Sequence, residues 1–186
     1  MLATKFTLDD DKSLVNVFID GVFDKMRPAL QPKRAGIGLY WGENHPLNVS
    51  MPTEQPCDNV NQVELAAAIY ALRIAKQIGL KRVRLITDST YVINSMRFWW
   101  TKYVVIDGYI DQPYLKSFKC VRNVAEIRAL YQLCLEIEVN HWPSFFSYLQ
   151  VVWKYSPGRM GIYGNTMAHR FAMAGKHKVN RPDVDD

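Results

Sequence analysis

Three acidic residues stand where a folded chain seldom leaves a charge. Asp20 closes a β-rich run, residues 14–20; Glu64 lies at the start of an apolar helical segment, residues 63–79; Asp88 follows directly on a strand, residues 82–87. Strand ends and helix starts on one side of an open sheet face a common crevice, where ligands of such folds bind. Carboxylates gathered there raise one another's pKa and destabilise the fold unless a positive group joins them. Oxygen-only donors select a hard divalent cation, Mg²⁺ or Mn²⁺. Each acid also has a plain structural reading: Asp88 as a helix cap, Glu64 as a first-turn partner of the helix dipole, Asp20 as a turn residue. The three together are harder to account for in that way.

The elements that must position these acids can be read from periodicity. Residues 14–20, 35–41 and 46–51 are β-rich and joined by connections that suit an antiparallel meander. Leu65, Ala68, Ile69, Leu72 and Ala75 recur at helical spacing before Gly79. A strand at 82–87 precedes a helix at 89–99, capped by Asp88 or Ser89. An aromatic stretch follows, then a helix at 122–138, a strand near 148–153, a Pro157-Gly158 turn and a helix at 165–176. Antiparallel strands followed by alternating helix and strand predict an α/β fold, a mixed sheet with packed helices. Residues 13–178 form one domain in this reading, with a polar lead-in at 1–12 and an acidic tail at 179–186.

Composition sets the bounds. With 48% hydrophobic and 22% charged residues among 186, the chain is globular, and no apolar run of spanning length indicates a membrane segment. The formal charge of +5 conceals an asymmetry, because Asp9, Asp10, Asp11, Asp183, Asp185 and Asp186 sit at the ends. Residues 12–182 hold 22 basic and 12 acidic side chains, a surplus that favours a polyanionic partner but also serves solubility. Cys57, Cys120 and Cys134 fit neither a zinc pattern nor a redox pair and read as reduced thiols of an intracellular protein, cytoplasmic or nuclear. Gly36, Gly38 and Gly42 lie within and just after a strand, so they are no dinucleotide fingerprint. His45 and His141 lack partners at ligand spacing and read as turn or surface histidines.

Ordered motifs carry a resemblance. Phe18-Ile19-Asp20-Gly21, the run 35–42, His45-Pro46-Leu47-Asn48-Val49, Glu64-Leu65-Ala66-Ala67, Ile86-Thr87-Asp88-Ser89, Ile93-Asn94, Pro157-Gly158 and Gly164-Asn165 span nearly the whole chain. In these it resembles the catalytic domain of the type 1 cellular ribonuclease H family of eukaryotes. The resemblance implies a ribonuclease H-like fold, a five-stranded mixed sheet with helices on both faces. It further implies two-metal hydrolysis of the RNA strand of RNA/DNA hybrids by a domain that is monomeric. Asp20 corresponds to the carboxylate bridging both ions, and Glu64 and Asp88 to those on the leaving-group side. Nucleic-acid contacts are implied at Asn59, Asn61, Gln62, Asn94, Trp99, Tyr103, Asn123 and Arg159.

The departures from that family are informative. Its fourth carboxylate corresponds here to His169, which leaves two outcomes: a site of altered metal preference and slow turnover, or a protonated His169 standing in for a metal in an inactive interaction module. Arg159 occupies the position of the mobile histidine after Pro-Gly, and Cys57 that of an arginine in the phosphate pocket. The loop that is normally rich in lysine has no basic residue at 104–115. Its Val, Ile and Tyr residues predict weaker hybrid binding and a surface for a protein partner.

Overall fold

In a computed structural model the described residues are 6–8, 14–24, 33–99, 123–139, 151–158 and 160–178. In chain order they form β1 (Thr7–Leu8), β2 (Val15–Phe23), β3 (Ala35–Tyr40), β4 (Val49–Pro52), α1 (Val60–Gln77), β5 (Val83–Thr87) and α2 (Thr90–Asn94). A π-helical turn (Ser95–Trp99) follows, then α3 (Val124–Val139), β6 (Val151–Tyr155) and α4 (Tyr163–Gly175). The sheet has the order β4-β3-β2-β5-β6. β2, β3 and β4 are antiparallel neighbours, and β5 and β6 join in parallel, so the expected mixed sheet of five strands is present. The addition is β1, inside the expected lead-in: Thr7 pairs with Asn16 and Leu8 with Val15. Phe6 seats this segment by packing on the His45 ring, centroids 4.3 Å apart.

Several boundaries differ from expectation. β2 does not stop at Asp20 but runs on to Phe23, because Gly21, Val22 and Phe23 pair with Ile37, Gly36 and Ala35. α1 begins at Val60, since the Asn59 side chain accepts from the Gln62 backbone N–H and caps it. Glu64 therefore lies one turn inside the helix, not in its first turn. β4 begins at Val49 rather than at residue 46, the preceding stretch being spent in turns. The helix expected at 89–99 is capped by Ser89 and becomes π-helical at Ser95, whose buried hydroxyl donates to the Tyr91 carbonyl at 2.8 Å. His45 is buried, not superficial, and its Nδ1 accepts from the Leu47 N–H.

The two faces of the sheet are covered differently. Val15, Val17, Ile19, Ile37, Leu39 and Leu85 meet Leu65, Ala68 and Leu72 of α1 in the principal core, with Ile127 and Leu130 of α3 behind. On the opposite face α4 lies against β3 with almost no side chain between them. A Cβ built on Gly38 would stand 2.0 Å from the Ala168 carbonyl oxygen, and one on Gly36 would stand 2.3 Å from the Lys176 nitrogen. The alternating glycines of β3 are thus a seat for a helix backbone. No described helix is long and apolar enough to cross a membrane.

Candidate active site

Asp20 sits inside β2, opposite Gly38, and points to the α4 face, where the His169 Nδ1–H donates to its Oδ2 at 2.8 Å. Glu64 comes from the other face. It reaches the same place because Gly21, next to Asp20, has no side chain: a Cβ there would lie 2.8 Å from the Glu64 nitrogen and from the Val63 carbonyl carbon. A glycine inside a strand marks close backbone approach, and here it admits the second turn of α1. Asp88 follows β5, and Gly158 leaves it room, since a Cβ on that glycine would meet Asp88 Oδ2 at 2.3 Å. The Asn165 amide holds the Pro157-Gly158 turn by donating to Ser156 Oγ at 2.9 Å and to the Ser156 and Pro157 carbonyls.

Asp20, Glu64 and Asp88 each offer a carboxylate oxygen within 4.8 Å of the others. His169 joins through Asp20 and lies outside that group of three. All four line an open cleft of about 530 Å³ whose other walls include Val22, Phe23, Val60, Gly158, Ile162 and Thr166. Glu64 is buried, and its Oε2 has no hydrogen-bond partner. Burial, then the Asp20 and Asp88 charges, push its carboxyl well above the usual range, while hydrogen bonding from the Gly21 backbone acts the other way. Asp20 is likewise raised, by burial first, against the lowering effect of His169. An oxygen-only cluster of like charges with an orphaned buried oxygen fits a hard divalent cation.

A pH dependence follows. Glu64 is held above its unfolded value of 4.5, so its stabilising contribution is complete below that pH and is lost as pH rises through the folded value. Asp20 acts in the same sense. With metal chelated, the wild type is expected to lose thermal stability as pH climbs from 4.5 towards neutrality. Glu64→Gln should flatten that decline and melt higher than wild type at pH 7. Parallel melting curves for the two proteins across this range would refute the buried-charge account.

The remaining sequence candidates divide. Asn59 and Asn123 do come together, the Asn59 amide donating to Asn123 Oδ1 at 3.1 Å and Asn123 donating back and to the Tyr91 hydroxyl. Gln62 has both ends of its amide engaged, its oxygen by the Asp58 N–H and its nitrogen by Glu126. Asn61 lies in the first turn of α1 and Asn94 closes α2, both half-buried. Cys57 is buried beside Gln55, and burial raises its thiol. The Trp99 backbone ends the π turn, but its side chain, with Tyr103, Arg159, His141, Cys120 and the 104–115 loop, lies outside the described residues. Gly158 and Asn165 stand in family motifs that do not reveal these contacts, and nothing in the sequence marks Glu126.

The RNase H family profile matches residues 12–177. The chain belongs to the RNase H family. Ribonuclease H1 of Homo sapiens is 33% identical to this RNase H chain over 144 residues, 76% of this chain and 43% of that protein. Ribonuclease H of Campylobacter concisus is 39% identical over 84 residues, 44% of this chain and 45% of that protein. This RNase H chain spans less than half the length of the curated relatives it matches. Among solved structures, the foamy viral protease-reverse transcriptase in complex with RNA/DNA hybrid superposes at a TM-score of 0.62, with 16% identity over 88% of this chain and 20% of that one. LC9-RNase H1, a type 1 RNase H with the type 2 active-site motif, gives a TM-score of 0.55 at 20% identity over 88% of this chain and 72% of that one. At such identities these likenesses establish the ribonuclease H-like fold.

Proposed function

We propose that this chain is a ribonuclease H endonuclease that cuts the RNA strand of RNA/DNA hybrids, with Asp20, Glu64, Asp88 and His169 holding Mg²⁺ or Mn²⁺ and Arg159 as a further catalytic and nucleic-acid contact. The observation that carries this reading is the buried Glu64, one oxygen of which has no partner, in a group of three carboxylates with ligand atoms within 4.8 Å of one another. When bound, divalent ions supply neutralising charge and an acidified water for hydrolysis of the phosphodiester. The chain supplies the rest. Asp20 is oriented by His169 through the Nδ1 contact at 2.8 Å, which leaves Nε2 as the ring nitrogen not engaged by Asp20. Glu64 would also accept from a ribose 2′-hydroxyl, the group that separates RNA from DNA. The paired Asn59 and Asn123 would receive a phosphate of the other strand, with Asn61, Gln62, Asn94, Trp99 and Tyr103 as further nucleic-acid contacts. Breaking the P–O3′ bond leaves 3′-hydroxyl and 5′-phosphate ends.

An imidazole in place of a carboxylate removes one negative charge and shifts the donor set towards Mn²⁺. A second reading draws on the Asp20–His169 contact itself: with His169 charged, it is an ion pair and the domain serves as a non-catalytic module, docking a protein through the 104–115 loop. Cleavage of a labelled hybrid in Mg²⁺ and in Mn²⁺ separates them. The enzyme reading expects cutting, faster in Mn²⁺, with His169→Asp restoring the Mg²⁺ rate. A wild type that cuts in neither metal while His169→Asp cuts would establish the module instead.

A further inference from the structure

The Lys33 ammonium lies 5.8 Å from the centroid of the Phe23 ring, and Phe23 is itself a wall of the cleft. Beyond it runs a second groove of about 580 Å³, between the start of β3, the connection from β4 to α1 and the C-terminal end of α4. Lys33, Arg34, Lys176 and Lys178 line it.

These four cations are held in different ways. Lys176 is a structural pair, its side chain 10% exposed and its ammonium 2.9 Å from Asp24. Arg34 and Lys178 are oriented by neutral acceptors, Arg34 by His177 Nδ1 at 3.1 Å and Lys178 by the Ser50 carbonyl at 2.6 Å. Lys33 reaches Asp58 only at 4.0 Å, with the Asp58 side chain 93% exposed. Glu54, the other acid of the groove, is engaged by Arg73 at 2.9 Å. A neutral acceptor fixes the position of a cation without reducing its charge, and a distant, solvated carboxylate reduces it little. Three cations are thus pre-placed in a groove that neighbours the catalytic cleft where Lys33 lies over Phe23. The groove gathers four cations, whereas the family's usual basic loop has none over residues 104–115 of this sequence.

We infer that the groove is a phosphodiester track that carries the nucleic acid on from the cleft, with Lys33, Arg34 and Lys178 as its contacts. The inference rests on the hybrid-cleaving reading and extends its footprint. Each neutralised phosphate contributes about 0.9 to the slope of log affinity against log salt for a duplex.

The test is the affinity of a labelled RNA/DNA hybrid, measured with Ca²⁺ as the only divalent ion and at several NaCl concentrations. The variant K33A/R34A/K178A should show a slope shallower by about two to three, with its largest loss of affinity at low salt. Lys81→Ala, at the far end of β5, should leave the slope unchanged. Lys33→Glu, a single change at an exposed position, should weaken binding more than Lys33→Ala. A hybrid too short to leave the cleft should bind wild type and triple variant alike. If wild type binds the long hybrid and the triple variant matches it in slope and affinity, the track is refuted while the hybrid reading stands. Should wild type bind no hybrid at any salt, both fall. Capture of a polyglutamate peptide as tightly as hybrid at equal salt would make the groove an acidic-protein site and overturn the inference.

Discussion

Asp20→Asn is expected to lower cleavage of a labelled RNA/DNA hybrid by roughly a thousandfold in either Mg²⁺ or Mn²⁺. The substitution keeps the shape of the side chain and can keep its partner, since an amide oxygen still accepts from the His169 Nδ1–H that now lies 2.8 Å away. What it removes is the charge of the acid through which His169 joins the other two. Loss of several kcal/mol of charge stabilisation corresponds to that factor, at about 1.4 kcal/mol per tenfold. The fold should not suffer, because burial already disfavours the charged form of Asp20. Thermal melting without metal should therefore be unchanged or slightly higher, and stabilisation by added Mn²⁺ should vanish. A variant that cuts at the wild-type rate would remove Asp20 from the chemistry.

The largest effect on stability is expected from Gly38→Ala. Its new Cβ would meet the Ala168 carbonyl oxygen at 2.0 Å and the Ala172 nitrogen at 2.5 Å, both backbone atoms that no rotamer change can clear. The whole of α4 must move. Overpacking of this kind costs about 1–3 kcal/mol and occasionally more, so a loss of about 3 kcal/mol is expected. For a chain of this size that corresponds to a fall in Tm of roughly ten degrees. Gly79→Ala is the comparison. Gly79 has φ of 69° and nothing within 4 Å of a Cβ, so its cost is conformational strain alone, about 1 kcal/mol. Equal melting temperatures for the two variants would contradict the seating of α4 on β3.

The acids are legible in the sequence because their surroundings are apolar, and charge in an apolar run is a signal that one chain can show. The elements around them were legible for the same reason, through the helical spacing of Leu65, Ala68, Ile69 and Leu72. What was not legible depends on partners remote in sequence. Asp20-Gly21 reads as the end of a strand because glycine weakens strand interiors, yet β2 continues because α1 needs that gap. Gly36 and Gly38 could be denied a nucleotide role from position alone, but which helix fills their space is a tertiary fact. The π turn at Ser95 has no periodic signature over five residues. Motif spacing points to His169, but its contact with Asp20 joins positions 149 residues apart.

One helix serves both edges of the cleft. α4 presents His169 to Asp20, and one turn earlier Asn165 clamps the turn whose Gly158 lies against Asp88. The two sides of the site are thus coupled through a single rigid part: a shift of α4 along β3 would be registered at Asp20 and at Asp88 together. The spacing of the carboxylates is accordingly one mechanical variable rather than two. A change anywhere along the buried face of α4 should alter metal affinity without touching a ligand.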